Sequence, residues 1–166
     1  MRLVLVADTH VPKRARDLPA QLWTEIESAD VVVHAGDWVD LALLDAIEQR
    51  ARRLIGVVGN NDGPDLRARL PETARVDLDG LRVTVVHETG GRNNRERRMD
   101  GLYAADTDLL VFGHSHIPWD TCTPSGVRLL NPGSPTDRRR QPVATYMTAE
   151  ISSGRLSDVT LVPVRS

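Results

Sequence analysis

The chain has 166 residues, 40% of them hydrophobic and 27% charged, with a formal net charge of −2. That length suits one domain over 1–166 with its own core, and the near-neutral balance singles out neither nucleic acid nor any other charged partner. No apolar stretch exceeds strand size, Arg2 is followed by too short an apolar run for a signal peptide, and Cys122 stands alone; a membrane span and an internal disulfide are excluded, and the cytoplasm is the expected location.

The first strand runs Leu3–Ala7 and empties into Asp8-Thr9-His10. An amphipathic helix follows over Leu18–Ala29, with Leu22, Trp23 and Ile26 at helical spacing. The strand Val31–Val33 then meets His34-Ala35-Gly36-Asp37. A second helix covers Val39–Arg50, and the strand Leu54–Val58 leads to Gly59-Asn60-Asn61-Asp62. Strand and helix alternating in this way give a parallel sheet with right-handed crossovers.

Beyond this point the pattern changes. Ala74–Leu78 and Leu81–His87 flank Asp79-Gly80, a two-residue hairpin signal. Arg92–Ala105 reads as a polar helix, and Asp108–Phe112 returns to strand before Gly113-His114-Ser115-His116. Short strands follow at Thr121–Thr123, Val127–Leu130, Val143–Ile151 and Leu156–Val162, separated by turn residues. The expectation is an α/β fold: a four-layer α-β-β-α sandwich of two packed mixed β-sheets flanked by helices.

All five histidines fall at or just beyond strand ends, where open α/β sheets place ligands. Asp8 and His10 are two apart, as are His114 and His116, a spacing that in extended chain turns both side chains of a pair to one side. Carboxylate and imidazole ligands without cysteine suit Mn, Fe, Ni or Zn in a catalytic rather than a structural site. Two aspartates among neutral ligands carry −2, so two divalent ions would leave a net positive site for anions. Such ions, ~3.5–4 Å apart, suit phosphoester hydrolysis.

In this order Asp-x-His, Gly-Asp, Gly-Asn-x-Asp, a lone His and Gly-His-x-His resemble the calcineurin-like metallophosphoesterases. Asp8-Thr9-His10-Val11-Pro12-x-Arg14, Leu18-Pro19 and Asn131-Pro132-Gly133-Ser134-Pro135 are similar to that family's small prokaryotic phosphodiesterase branch. The resemblance implies that Asp8, His10, Asp37 and His116 bind one metal, and that Asp37 bridges to a second held by Asn60, His87 and His114. It implies Mn²⁺ as the activating ion, with Ni²⁺, Fe or Zn²⁺ also accommodated, and a phosphodiester substrate attacked by a hydroxide shared between the ions. Asn60 and His87 would add charge stabilisation. The expected partner is a small phosphodiester, with nucleic acid only as substrate, no membrane, and two chains able to pair through a sheet edge. A phosphomonoesterase and a non-catalytic scaffold, as in the retromer's metallophosphoesterase-fold subunit, are the rival readings.

Two positions depart from the family pattern. Asn61 stands where phosphomonoesterases commonly carry a histidine, and an amide cannot act as a general acid, which favours diesters. Glu88 follows His87 where glycine is usual. Elsewhere, His34 is expected to be structural, Trp38 and Trp119 to pack in core or rim, Cys122 to be a buried strand residue, and Arg92–Arg98 to form a solvated helix face. Arg138–Arg140 follows the late turn and is as well placed beside the site as away from it.

Overall fold

In the computed structural model, which describes residues 1–165, ten strands form two mixed five-stranded sheets. The first has the order β10-β9-β1-β2-β3, from β1 (Arg2–Val6), β2 (Val31–His34), β3 (Leu54–Gly56), β9 (Thr145–Ser152) and β10 (Arg155–Pro163). The second runs β4-β5-β6-β8-β7, from β4 (Thr73–Leu78), β5 (Leu81–Val86), β6 (Leu109–Val111), β7 (Trp119–Cys122) and β8 (Arg128–Asn131). In each sheet three parallel strands, β1-β2-β3 and β5-β6-β8, lie side by side. The remaining pairings are antiparallel.

Alternation along the strands builds three apolar layers. Leu3, Leu5, Ala7, Val31 and Val33 turn inward and meet Val83, Val85, Leu109 and Val111 of the other sheet. Val4, Val6 and Val32 turn outward against Leu22 and Ile26 of α1 (Ala20–Ser28) and Leu43, Leu44 and Ile47 of α2 (Leu41–Arg50). Val86, Leu110 and Phe112 cover the far side against Met99 of α4 (Arg95–Tyr103). The expected four-layer sandwich is the observed one. No described helix is long and apolar enough to cross a membrane.

Asp79 and Gly80 both take positive φ, 52° and 86°, as the two-residue hairpin between β4 and β5 requires. One element went unread: α3 (Pro64–Arg69) buries only Leu66, so one turn and a half carries no periodicity to detect. Cys122 lies in a strand but is exposed, because β7 is an edge strand whose alternate residues face solvent. The polar helix also differs from expectation. Arg95 is buried with its guanidinium over the rings of Phe112 and Trp119, at 4.9 and 4.4 Å.

Candidate metal centre

The six parallel strands end on one side of the sandwich, and the loops leaving them carry the candidate ligands. The loops are stitched to one another by backbone bonds from Asp8 N–H to Gly36 O (3.0 Å), His10 N–H to Asp37 O (3.1 Å) and Gly113 N–H to His87 O (2.9 Å). Asp8, His10, Asp37, His114 and His116 all have positive φ, between 46° and 72°. Left-handed backbone at non-glycine residues costs on the order of 1 kcal/mol or more each and gathers at functional sites. The His and Asp pairs therefore do not use the extended geometry expected from their spacing. Tight left-handed turns aim their side chains instead, and they send His114 and His116 to different neighbours.

His116 Nε2 lies 3.3 Å from His10 Nε2 and 3.7 Å from Asp8 Oδ1. His114 Nδ1 lies 3.1 Å from Asn60 Oδ1 and 3.3 Å from His87 Nε2, which is itself 2.9 Å from Asn60 Oδ1. Asp37 sits between the two groups. Its Oδ2 is 3.4 Å from His10 Nε2 and its Oδ1 is 3.5 Å from His87 Nε2. All seven candidate residues are thus brought to one place, five of them as two buried donor sets, Asp8-His10-His116 and Asp8-Asp37-His87, that have Asp8 in common.

This arrangement fits a cation. Asp8 Oδ2 is buried with no hydrogen-bond partner. The Nδ1–H of His87 donates to Ala35 O and that of His116 to Asp137 O, both at 2.7 Å; a carbonyl only accepts, so each Nε2 presents a bare lone pair to the site. His87 Nε2 and Asn60 Oδ1 thus converge at 2.9 Å on the side of the ring that faces the site. Burial and the neighbouring Asp37 carboxylate push the Asp8 pKa well up. Burial holds His10 below the usual imidazole range and lowers His116 to about 4. Imidazoles at His10 and His116 that resist protonation, beside an Asp8 carboxyl that resists ionising alone, are what a divalent ion would relieve.

A supporting layer fixes these groups. Asp62 Oδ2 accepts from the backbone nitrogens of Asp37 (3.0 Å) and Gly59 (2.7 Å), and Oδ1 accepts from Val39 N–H (2.7 Å). A Cβ on Gly59 would fall 2.1 Å from Asp37 Oδ1, so only glycine lets this turn approach. His34, as expected, takes no part as a ligand: it is fully buried, hydrogen-bonded to Thr9 and Gly36, and stacked on Trp38 at 3.5 Å. The late turn acts from below. Asn131 Nδ2 donates to Gly113 O, Ser134 Oγ to Asp8 O, and Thr136 Oγ1 to Thr9 O.

Asn61 points at Asp37, donating from N–H to Oδ1 (2.9 Å) and from Nδ2 to Oδ2 (2.7 Å). Glu88 lies outside the buried set, 3.7 Å from His114 Nε2. Arg138–Arg140 line a depression with Ser115 and His116, so this basic run does stand beside the site. Arg95 was missed. The signal for it was present, because Arg95, Met99 and Tyr103 share one face at four-residue spacing.

The profile of the calcineurin-like phosphoesterase superfamily domain matches residues 1–154. The chain is 31% identical over 139 residues to a probable metallophosphoesterase, MJ0623, of Methanocaldococcus jannaschii, covering 82% of this chain and 69% of that one. It is 26% identical over 134 residues to the phosphodiesterase MJ0936 of the same organism, covering 70% and 74%. In three dimensions it resembles Vps29 of Entamoeba histolytica in complex with Zn²⁺, with a TM-score of 0.78, 22% identity and coverage of 99% and 98%.

Proposed function

The chain belongs to the calcineurin-like phosphoesterase superfamily, and on that premise we propose that residues 1–166 act as one domain, a phosphodiesterase dependent on two divalent metal ions. The observation that carries this reading is Asp37, whose two carboxylate oxygens each face one histidine of two separate ligand groups. Asp8, His10, Asp37 and His116 would hold one ion, and Asp37, Asn60, His87 and His114 the other. Bound there, divalent ions supply Lewis acidity, drawing in phosphate oxygens and making water acidic enough to attack near neutral pH. The donor set of nitrogen and carboxylate oxygen suits Mn²⁺ and also accepts Zn²⁺, Ni²⁺ or Fe. The complex of the Vps29 relative with Zn²⁺ is consistent with that choice.

The chain's own groups divide the remaining work. Ala35 O and Asp137 O set the tautomers of His87 and His116. Asn60 contributes a neutral oxygen that adds no negative charge beside phosphate. Asn61 offers amide hydrogens but no titratable proton for a leaving group, which favours the better leaving group of an activated diester over a monoester dianion. The name of MJ0936 agrees with diester chemistry, and the site's location on loops open to one side suits a small substrate.

The test is hydrolysis of bis(p-nitrophenyl) phosphate after exhaustive chelation and again after Mn²⁺ is restored. Activity is expected to vanish and return, to exceed that on p-nitrophenyl phosphate, and to be lost in Asp37→Ala. Hydrolysis that persists without metal, or in Asp37→Ala, overturns the proposal. Metal-loaded protein inert toward every phosphoester supports the scaffold reading instead.

A further inference from the structure

Beside the metal centre, on the His114 side, a cavity of about 370 Å³ is lined by Glu88, Gly90, Gly91, Arg92, Arg95, His114, Ser115, Ile117 and Trp119. Its wall contains Arg95, only 5% exposed. A buried guanidinium is normally matched by a carboxylate. Here, among the described residues, the side chain makes one hydrogen bond, to Gly90 O at 3.3 Å, and its Nε has no partner. Among the described residues Arg95 forms no ion pair, and the carboxylate that acts on it through space is that of Glu96. Glu96, next in sequence, is instead engaged by the hydroxyl of Thr121.

The surroundings hold this cation rather than neutralise it. Phe112 and Trp119 take its faces, and their π-systems are weak partners compared with an oxyanion. The glycine-rich loop above it is latched from the other side by Arg98, which donates to Thr89 O at 2.7 Å and to Gly91 O. Ile117, 45% exposed, and the Trp119 edge give the cavity an apolar floor. A fixed, desolvated cation that no carboxylate ion-pairs, at the end of a largely apolar cavity opening onto Glu88 and His114, has the layout of a subsite for an aryl or acyl group that ends in an oxyanion.

We propose that this cavity receives one arm of the phosphodiester, and that Arg95 selects substrates whose arm carries a second anionic group, carboxylate or phosphate. The proposal rests on the diesterase reading for the identity of the reacting group, and on the cavity alone for the charge of the arm.

The experiment has two parts. In the first, the metal-loaded protein is given p-nitrophenyl 4-carboxyphenyl phosphate and bis(p-nitrophenyl) phosphate, and the ratio of their kcat/KM is read. A preference of about tenfold or more for the charged arm is expected, as a charge-assisted hydrogen bond implies. The ratio should collapse toward one in Arg95→Met and survive in part in Arg95→Lys; being a ratio, it cancels any general loss of activity. In the second, 4-hydroxybenzoate, the free charged arm, is titrated into the metal-free protein in a Trp23→Phe background, where Trp119 is followed above the constant emission of Trp38, fully buried in the core.

Saturable quenching in the wild type, lost in Arg95→Met, supports the subsite even if neither diester is hydrolysed, in which case the diesterase reading alone fails. If both diesters are hydrolysed at equal rates by the wild type, or if the preference is unchanged in Arg95→Met, the subsite proposal is overturned and the diesterase reading stands. Should Arg95→Met not fold, the wild-type ratio and the phosphomonoester analogue of the charged arm, 4-carboxyphenyl phosphate, as competitor against both diesters decide: failure to compete better than phenyl phosphate overturns it.

Discussion

The carboxylate of Asp62 holds Asp37 from behind, accepting its backbone N–H at 3.0 Å while Asp37 turns both of its own oxygens toward histidines. The same Asp62 collects Gly59 N–H and Val39 N–H, so one buried side chain anchors the turns after β2 and β3. Asp62→Ala leaves three donors unmatched and is expected to cost about 3 kcal/mol in denaturant unfolding, at roughly 1 kcal/mol for each lost bond. Divalent-ion affinity should fall about ten- to a hundredfold, the usual penalty for removing a group that orients a ligand. Calorimetric titration of the folded variant checks it; undiminished affinity would show that Asp62 serves the fold alone.

Asn61 spends both of its hydrogen-bonding contacts on Asp37. Asn61→His would place a titratable imidazole at that position, one able to deliver a proton to a leaving alkoxide. The rate on p-nitrophenyl phosphate relative to its diester is expected to rise by about tenfold, within the range for a positioned general acid. The comparison is to be made across pH 5–8, where the added group should bring a new basic limb to the monoester profile.

Much of this candidate site was legible in the sequence because each candidate ligand follows a β-branched run, and strand ends need no long-range information to be found. The pairing of loops into two ligand groups was not legible from spacing. His114 and His116 look equivalent as a two-apart pair, and only the left-handed turns at both residues, φ 72° and 59°, part them. For Arg95 the four-residue spacing with Met99 and Tyr103 gives the helix face but not what covers it. A run of arginines reads as solvated by composition, whereas its burial depends on Phe112 and Trp119, which arrive from other elements. Cys122 differs in the opposite direction, exposed where burial was expected: strand propensity says nothing about which strand lies at a sheet edge.

Asp8 sets function against stability. Burial and Asp37 raise its pKa, so the fold holds a proton that the unfolded chain releases near 3.8. Its contribution is therefore complete below that value and is lost as pH rises through the folded pKa. Asp8→Asn keeps an oxygen for His114 N–H, now 3.1 Å from Oδ1, and removes the charge. In chelator, Asp8→Asn should melt higher than wild type at pH 7, with the gain shrinking toward pH 4. With Mn²⁺ the order should reverse, because a carboxylate gains more binding energy from the ion than an amide oxygen does.

The lowered histidines act with the opposite sign. His116 titrates at about 4 against 6.5 in the unfolded chain, and burial lowers His10 and His34 as well. Between about 4 and 6.5 the unfolded chain takes up protons the fold refuses, so their contribution is full above 6.5 and lost as pH falls. In the metal-free Asp8→Asn protein, where only the buried Asp62 carboxyl still opposes them, the melting temperature should climb through this window. Imidazole NMR titration should place the His116 midpoint near 4.

Arg139 distinguishes attraction of substrate from attraction of metal. It is exposed at the rim with His116, and its charge reaches Asp8, His10 and His116, lowering the pKa of each. A cation there draws in an anionic diester and repels a divalent ion, so Arg139→Gln should move the two affinities in opposite directions. KM for bis(p-nitrophenyl) phosphate is expected to rise by about three- to tenfold with kcat nearly constant, and Mn²⁺ affinity to rise by a factor of about two to three, both typical of one exposed charge in partly screened surroundings. Both effects should fade toward 1 M salt, where the screening length is about 3 Å. A purely structural role for Arg139 would lower both affinities together and leave them insensitive to salt.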